Sequence, residues 1–252
     1  MKAIKHYKNI TLFALILFCY SCEYIDSLTQ DGTFITTHQD VGDIKHIVVN
    51  SPIRIALHNE QSDIVDISGY DNLINELKIT YRNDSLIIDH NKKDYLRKSQ
   101  LIELTVSAKH LQRVTAEMPM ELTSNLTINF NNFSIVINGG AKFSEVKLDL
   151  SASNVSLNVY GNNIGNFLLS GTSQSSSFIL EGSVNIDALD LVCELSNITH
   201  KSIGDCKITA NTKLDVKSYA SGNIYYSGDA EVKHERLHVP YLQSTGNVIK
   251  ID

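Results

Sequence analysis

The sequence contains no tryptophan, only three prolines and no surplus of positive charge, and each shortage narrows what the chain can be. Twenty-two basic residues stand against 28 acidic ones, a formal net charge of -6. Binding of nucleic-acid phosphates needs a concentrated basic face, so that partner class is excluded. Good helix formers such as Ala are scarce, whereas Ser (26) and Asn (22) are abundant. That balance favours many short strands joined by turns over long helices. Of the four cysteines, the three left once an N-terminal export signal is removed, Cys22, Cys193 and Cys206, form no CxxC pair and no Cys/His spacing suited to a metal, so no cofactor is expected. With 42% hydrophobic residues over 252 positions, the chain still has enough apolar mass for an ordinary core.

The N-terminus reads as an address. Lys2, Lys5 and Lys8 precede an apolar run of nine residues, Ile10 to Phe18, and "CYSC" follows. Nine residues cannot cross a hydrocarbon core that takes about 20, so the segment is an export signal and not a span. Cys22 stands directly behind the run and the small Ser21, in the position of the lipid-bearing cysteine of a bacterial lipoprotein. Multiple acyl chains there would give stable membrane anchoring. The alternative is a plain signal peptide cut nearby, with Cys22 incidental. On the lipoprotein reading, residues 1–21 are the signal, 22–33 a polar tether, and 34–252 the folded body.

Strand signals dominate that body. "PIRIAL" sets Ile53, Ile55 and Leu57 against Arg54, Ala56 and His58, and "IELTVSA" alternates in the same way. Between them a short turn or helical piece is expected at Asn72 to Glu76, then a hairpin turning at Arg82 to Ser85. "NKKDYLRKSQ", 91–100, is charged and aperiodic and is read as a solvated loop. From about residue 111 onward, segments 126–146, 147–167, 168–189, 190–206 and 207–228 can be laid one above another, with lengths of 21, 21, 22, 17 and 22. A repeat near 20 residues made only of strand and turn predicts an all-β parallel β-helix, a β-solenoid whose turns bury their inward residues on each other. The division is therefore 34–110 for the N-terminal strands and 111–252 for the regular coils. The inward set comprises Val146, Leu148, Leu150, Val155, Leu157, Phe167, Leu169, Ile179, Leu189, Leu191, Ile208, Leu214 and Val216. Asn and Ser at the corners would stack as polar ladders. The competing architecture is an antiparallel β-sandwich.

Residues 34–90, with Ile53, Ile55 and Leu57, Asp71-Asn72-Leu73-Ile74 and Asp84-Ser85-Leu86, are followed by Gly222-Asn223-Ile224-Tyr225-Tyr226 with Gly228, and then "STGNVIKI". In this order they resemble the putative auto-transporter adhesin head GIN domain family of Bacteroidetes envelope proteins, a domain of unknown function. The resemblance runs from Phe34 to Ile251. It implies a right-handed parallel β-helix on an exported protein or lipoprotein of the outer membrane, facing the periplasm or the outside. It brings no catalytic residues with it.

Candidate sites are few. Asp187 with Asp190, His200 with Lys201, and Asp205 with Lys207 are the titratable pairs, and superposing the segments stacks none of them on a complementary partner. Catalysis by two carboxylates or an acid and a base needs such partners, so no enzyme is expected. His234 and His238 have metal-like spacing only on a helix, and "VKHERLHV" reads as strand. "NGGAK" and "GTSQSSSF" lack the ending of a phosphate loop and are read as corners. Cys193 and Cys206, 13 residues apart, could form a disulfide in the oxidising envelope; equally they could be two buried small hydrophobes. Tyr225 and Tyr226 could offer an exposed aromatic contact to a glycan or to an envelope or host protein, or could cap the last rung. The functional expectation is a non-catalytic, adhesin-like envelope module, with a glycan-binding, lipid-binding or carbohydrate-active β-helix as the alternative.

Overall fold

The computed structural model describes residues 32–90 and 101–251. The signal segment with Cys22, nearly all of the tether and the charged stretch 91–100 lie outside those residues. What is described is a β-solenoid of about seven turns, with neighbouring turns joined by parallel strand pairing. This is the expected coil and not the sandwich.

Alternation places the core. Strand β3 (Ile53–His58) buries every second residue, and so do β7 (Glu103–Ser107) and β9 (Met120–Ser124). In parallel register these strands stack like on like. One inward ladder runs through Leu104, Ile55, Leu122, Val146 and Phe167. Farther along the coil, Ile186, Cys206, Ile224 and Val248 are matched in the same way. Each ladder member down to Ile224 is essentially inaccessible to water. Removing such side chains from water stabilises the fold by about 1.5–3 kcal/mol apiece.

The chain does not lay its turns down in order at the N-terminal end. Strands β2 (His46–Val49) and β3 form a turn that ends up between two later ones. β2 pairs in parallel with β6 (Ser85–His90) on one side and β8 (Arg113–Ala116) on the other. β3 likewise lies between β7 and β9. Antiparallel strands then close this end. β4 (Ile64–Tyr70) covers β7, β1 (Phe34–Asp40) covers β4, and β5 (Leu77–Arg82) covers β6. A one-turn helix, α1 (Asp71–Ile74), joins β4 to β5. The β5–β6 hairpin turns through Asn83 and Asp84, both at positive φ, the signature of a type I′ turn, where expected.

From β10 (Ile128–Ile137) through β11 (Ser144–Val159), β12 (Ile164–Ser202) and β13 (Cys206–Ser218), the turns follow sequence order. β14 (Ile224–Ser227), β15 (Glu231–Arg236) and β16 (Val248–Lys250) finish the coil. The short segment 190–206 has a structural counterpart. Ala188 is matched to Ile208 but Val192 to Thr209, so β12 carries a bulge at this corner that the next turn lacks. Of the expected inward residues, Ile179 and Leu189 are only half-buried, and Phe178, Leu180 and Ala188 point inward instead. The cause is serine. Ser173 and Ser176 turn inward, Ser176 bonding Ser196 at 2.8 Å, so an alternation counted on apolar residues alone slips by one.

Candidate ligand-binding face

Three residues recur at one corner of the coil: Gly (Val in one turn), then Asn or Asp, then an inward apolar residue. They are Gly165-Asn166-Phe167, Val184-Asn185-Ile186, Gly204-Asp205-Cys206, Gly222-Asn223-Ile224 and Gly246-Asn247-Val248. The middle residues form a ladder up the outside. Asn185 Nδ2 donates to Asn166 Oδ1 at 3.3 Å, and the backbone N–H of Asp205 donates to Asn185 Oδ1 at 3.0 Å. The N–H of Asn223 donates to Asp205 Oδ1 at 2.9 Å, and that of Asn247 to Asn223 Oδ1 at 3.0 Å. The side chains of Asn185, Asp205 and Asn223 thus each satisfy a corner N–H that strand pairing leaves over. A Cβ on Gly222 would collide with the Gly204 carbonyl oxygen, and one on Gly246 with that of Gly222, so this approach requires glycine.

Two residues along from the ladder, a second outward column contains Lys147 opposite Leu168, then Asp187 opposite Lys207, with Lys207 opposite Tyr225. Lys207 Nζ lies 3.2 Å from Asp187 Oδ2. The two columns enclose an open concavity of about 500 Å³, with Glu145 and Lys147 at one end and Asp205 and Lys207 at the other. Leu168 is 40% exposed within it. Among the described residues, Glu145 and Lys147 make no side-chain hydrogen bond or ion pair, so both are available to a ligand. A second concavity of about 480 Å³ lies on another side, over Arg113 and the Ser134, Ser156 and Asn132, Asn154 steps.

The structure sorts the sequence candidates. Asp187, Asp205, Lys207 and Tyr225 are brought to the first face. The expectation that no titratable pair stacks on a partner is corrected here, because Asp187 meets Lys207 and Lys201 meets Glu181 at 3.0 Å. Both pairs are twenty residues apart, a spacing hidden by segments cut at 21 and 22. Asp190 is at the bulged corner, away from Asp187's partner. Tyr226 packs against the core, while Tyr225 faces outward and its hydroxyl lies 3.4 Å from Asn223 Nδ2. Neither caps the coil, because β16 covers their strand.

Cys193 and Cys206 are both free and buried. They stack on Ala210 and Ile186 respectively, not on each other, so the coil's register keeps them from bridging. Burial pushes the Cys206 thiol up to about 12 and raises that of Cys193, which leaves both inert. His234 lies 2.8 Å from Ser218 Oγ, and no group of three metal-type side chains occurs among the described residues. His200, one of the titratable candidates, is fully buried. Neither ring nitrogen has a hydrogen-bond partner. Burial pulls its pKa down to about 4, against a weaker opposing pull from Asp205. The polar corner ladder expected from the sequence is present; its particular rungs were not singled out there, although "IGNF", "SVNI", "IGDC", "SGNI" and "TGNV" are their visible trace.

The sequence model of the family described as "Putative auto-transporter adhesin, head GIN domain" matches residues 43–230. No curated protein matches the chain. Among solved structures, a putative adhesin from Bacteroides fragilis NCTC 9343 is similar with a TM-score of 0.75 at 18% identity, covering 87% of this chain and 97% of the other. A putative lipid binding protein from Parabacteroides distasonis ATCC 8503 has a TM-score of 0.64 at 17% identity, with coverage of 88% and 98%. A putative adhesin from Parabacteroides merdae ATCC 43184 has a TM-score of 0.59 at 19% identity, with coverage of 88% and 98%. At these identities the likeness is one of fold.

Proposed function

The chain belongs to the putative auto-transporter adhesin head GIN domain family, and from that premise we propose that it is a non-catalytic envelope module whose coil presents a rigid polar face to a partner. The observation that carries this reading is the ladder from Asn166 to Asn247. It fixes outward polar side chains at repeated positions along a stiff scaffold, which lowers the ordering cost of making contacts. Of the titratable groups on the face, Asp187 and Lys207 are tied up in an ion pair, an arrangement suited to recognition more than to proton transfer. The family and two of its solved relatives carry the name adhesin, which agrees with a contact role.

The same proposal includes an envelope location, with residues 1–21 as a lipoprotein signal and Cys22 as the acylated residue. Its support is the lysine leader, the apolar run and the cysteine directly behind it. In this proposal lipid on Cys22 serves as the anchor; no helix among the described residues is long and apolar enough to cross a membrane. Expressed in a Bacteroidetes host, the wild type should sediment with membranes and Cys22→Ala should shift to the soluble fraction. Equal sedimentation of both would refute the anchor. Protease treatment of intact cells then separates surface from periplasmic display.

A further inference from the structure

The chemistry of the first face narrows the class of ligand, and the step rests on the contact reading above. We infer that the concavity around Leu168 binds a neutral glycan chain lying along the coil axis. Rungs of a parallel coil repeat every ~4.8 Å, so a linear polymer laid along the axis meets equivalent groups turn after turn. Those groups are side-chain amides and carboxylates, Asn166, Asn185 and Asp205 in one column and Asp187 in the next, with the Lys207 ammonium beside Asp187. Such planar donors and acceptors match sugar hydroxyls, and here the ladder already orients them. Leu168, 40% exposed between them, offers an apolar floor for the C–H face of a sugar ring, with outward Tyr225 beyond Lys207.

Alternative ligands fit less well. A peptide strand is captured through free backbone groups at a sheet edge, whereas this face lies mid-sheet, where β11 and β12 are paired on both sides. An anionic glycan would meet Glu145, Asp187 and Asp205 against Lys147 and a Lys207 that Asp187 already neutralises. A lipid tail would need a deep apolar pocket, and this concavity is open and walled by polar groups.

The test uses the full chain without its signal segment, probed on immobilised neutral gluco-, manno- and galacto-oligosaccharides beside sulfated and uronic-acid chains. Binding is expected to one or more neutral series and to none of the charged ones. Leu168→Ala and Asn185→Ala should each weaken it about five- to tenfold, the loss of one apolar contact or one hydrogen bond. Arg113→Ala, on the second concavity, should leave it unchanged. Thermal melts of all three variants separate lost folding from lost binding, and Leu168, being exposed, can be truncated with little effect on the melt. Preference for the anionic chains, or binding that is lost in Arg113→Ala but kept in Leu168→Ala, overturns the assignment. If no glycan binds while the protein still coats cells or matrix proteins, the glycan inference fails and the contact reading stands.

Discussion

The two ends of the coil are built on different terms. At the N-terminal end one inward column is apolar throughout: Ile88, Val49, Ala116, Ile137, Val159 and Leu180 follow one another in register. An inward column at the C-terminal end reads His200, then Ser218, and is closed by the exposed Arg236. Ser218 bonds Ser244 at 3.0 Å, and Ser202 bonds the backbone of Val184 in the turn below it. The closures differ as well. Antiparallel β1, β4 and β5 cover the first turn, whereas the last ends on β15, "EVKHER", whose charges discourage further strand addition. A solenoid's stability is a sum of turns and of the interfaces between them. The end with apolar columns and antiparallel caps should therefore hold the structure, while the end with polar columns should open first.

The largest expected effect comes from cutting the link between the ends. Phe167 is 2% exposed, stacks on Val146, and lies where the two building styles meet. Phe167→Ala should cost about 3–5 kcal/mol by leaving a cavity in the middle of the ladder. In urea followed by hydrogen exchange, the turns after residue 167 should lose protection at lower denaturant than those before 124. Simultaneous loss of protection at both ends would show that the coil is one cooperative unit and end the comparison.

Second in size is the acid response of the C-terminal end. His200 has a pKa of about 4 when folded, against 6.5 unperturbed. The unfolded chain binds the proton first. Stability is therefore complete above about pH 6.5 and is lost as pH falls from there to about 4, by about 3 kcal/mol in all. The negative charge of nearby Asp205 opposes the shift. His200→Leu should remove most of this pH dependence while keeping the neutral-pH melt at or above the wild-type value, since two unsatisfied nitrogens disappear with the ring. An unchanged acid profile in that variant would move the cause to another group.

How much of this was legible follows the same divide. The sequential turns from 126 on could be read from their lengths because each repeats its own neighbour, and Val146, Leu148, Leu157 and Leu214 are inward as expected. At the N-terminal end Ile53, Ile55 and Leu57 were correctly read as one buried face, yet nothing local says that β3 would lie between β7 and β9. That is a long-range choice made by matching apolar surfaces. The interior polar column escaped because His200 and Ser218 obey the alternation perfectly well. A count of apolar residues treats them as corners, and only the register shows them pointing inward. The site face was half legible: Asp187, Asp205, Lys207 and Tyr225 were each noticed, but their meeting depends on a turn of twenty residues set by the bulge after Ala188.

The smallest effect tests whether the outward columns matter to stability at all. Arg54 at the N-terminal end is stacked between two carboxylates, with Glu121 at 2.6 Å and Glu103 at 3.7 Å. The hydrogen bond to Glu121 raises the Arg54 pKa further, so the guanidinium is charged at every pH where the protein folds. Lys207 at the other end has a single partner, Asp187. Both cations are about two-fifths exposed, so each pair should contribute no more than ~0.2–1 kcal/mol in dilute salt. Arg54→Met should sit at the upper end of that range, because it leaves Glu103 and Glu121 facing the same gap. Lys207→Met should sit near zero, since Asp187 remains free to turn to water. Melts at low salt and at 1 M salt check this: added salt should shrink the Arg54→Met difference, since the screening length falls to ~3 Å. If Lys207→Met proves the more costly, the face around Leu168 is part of what holds the coil together, and its polar columns cannot be assigned to ligand contact alone.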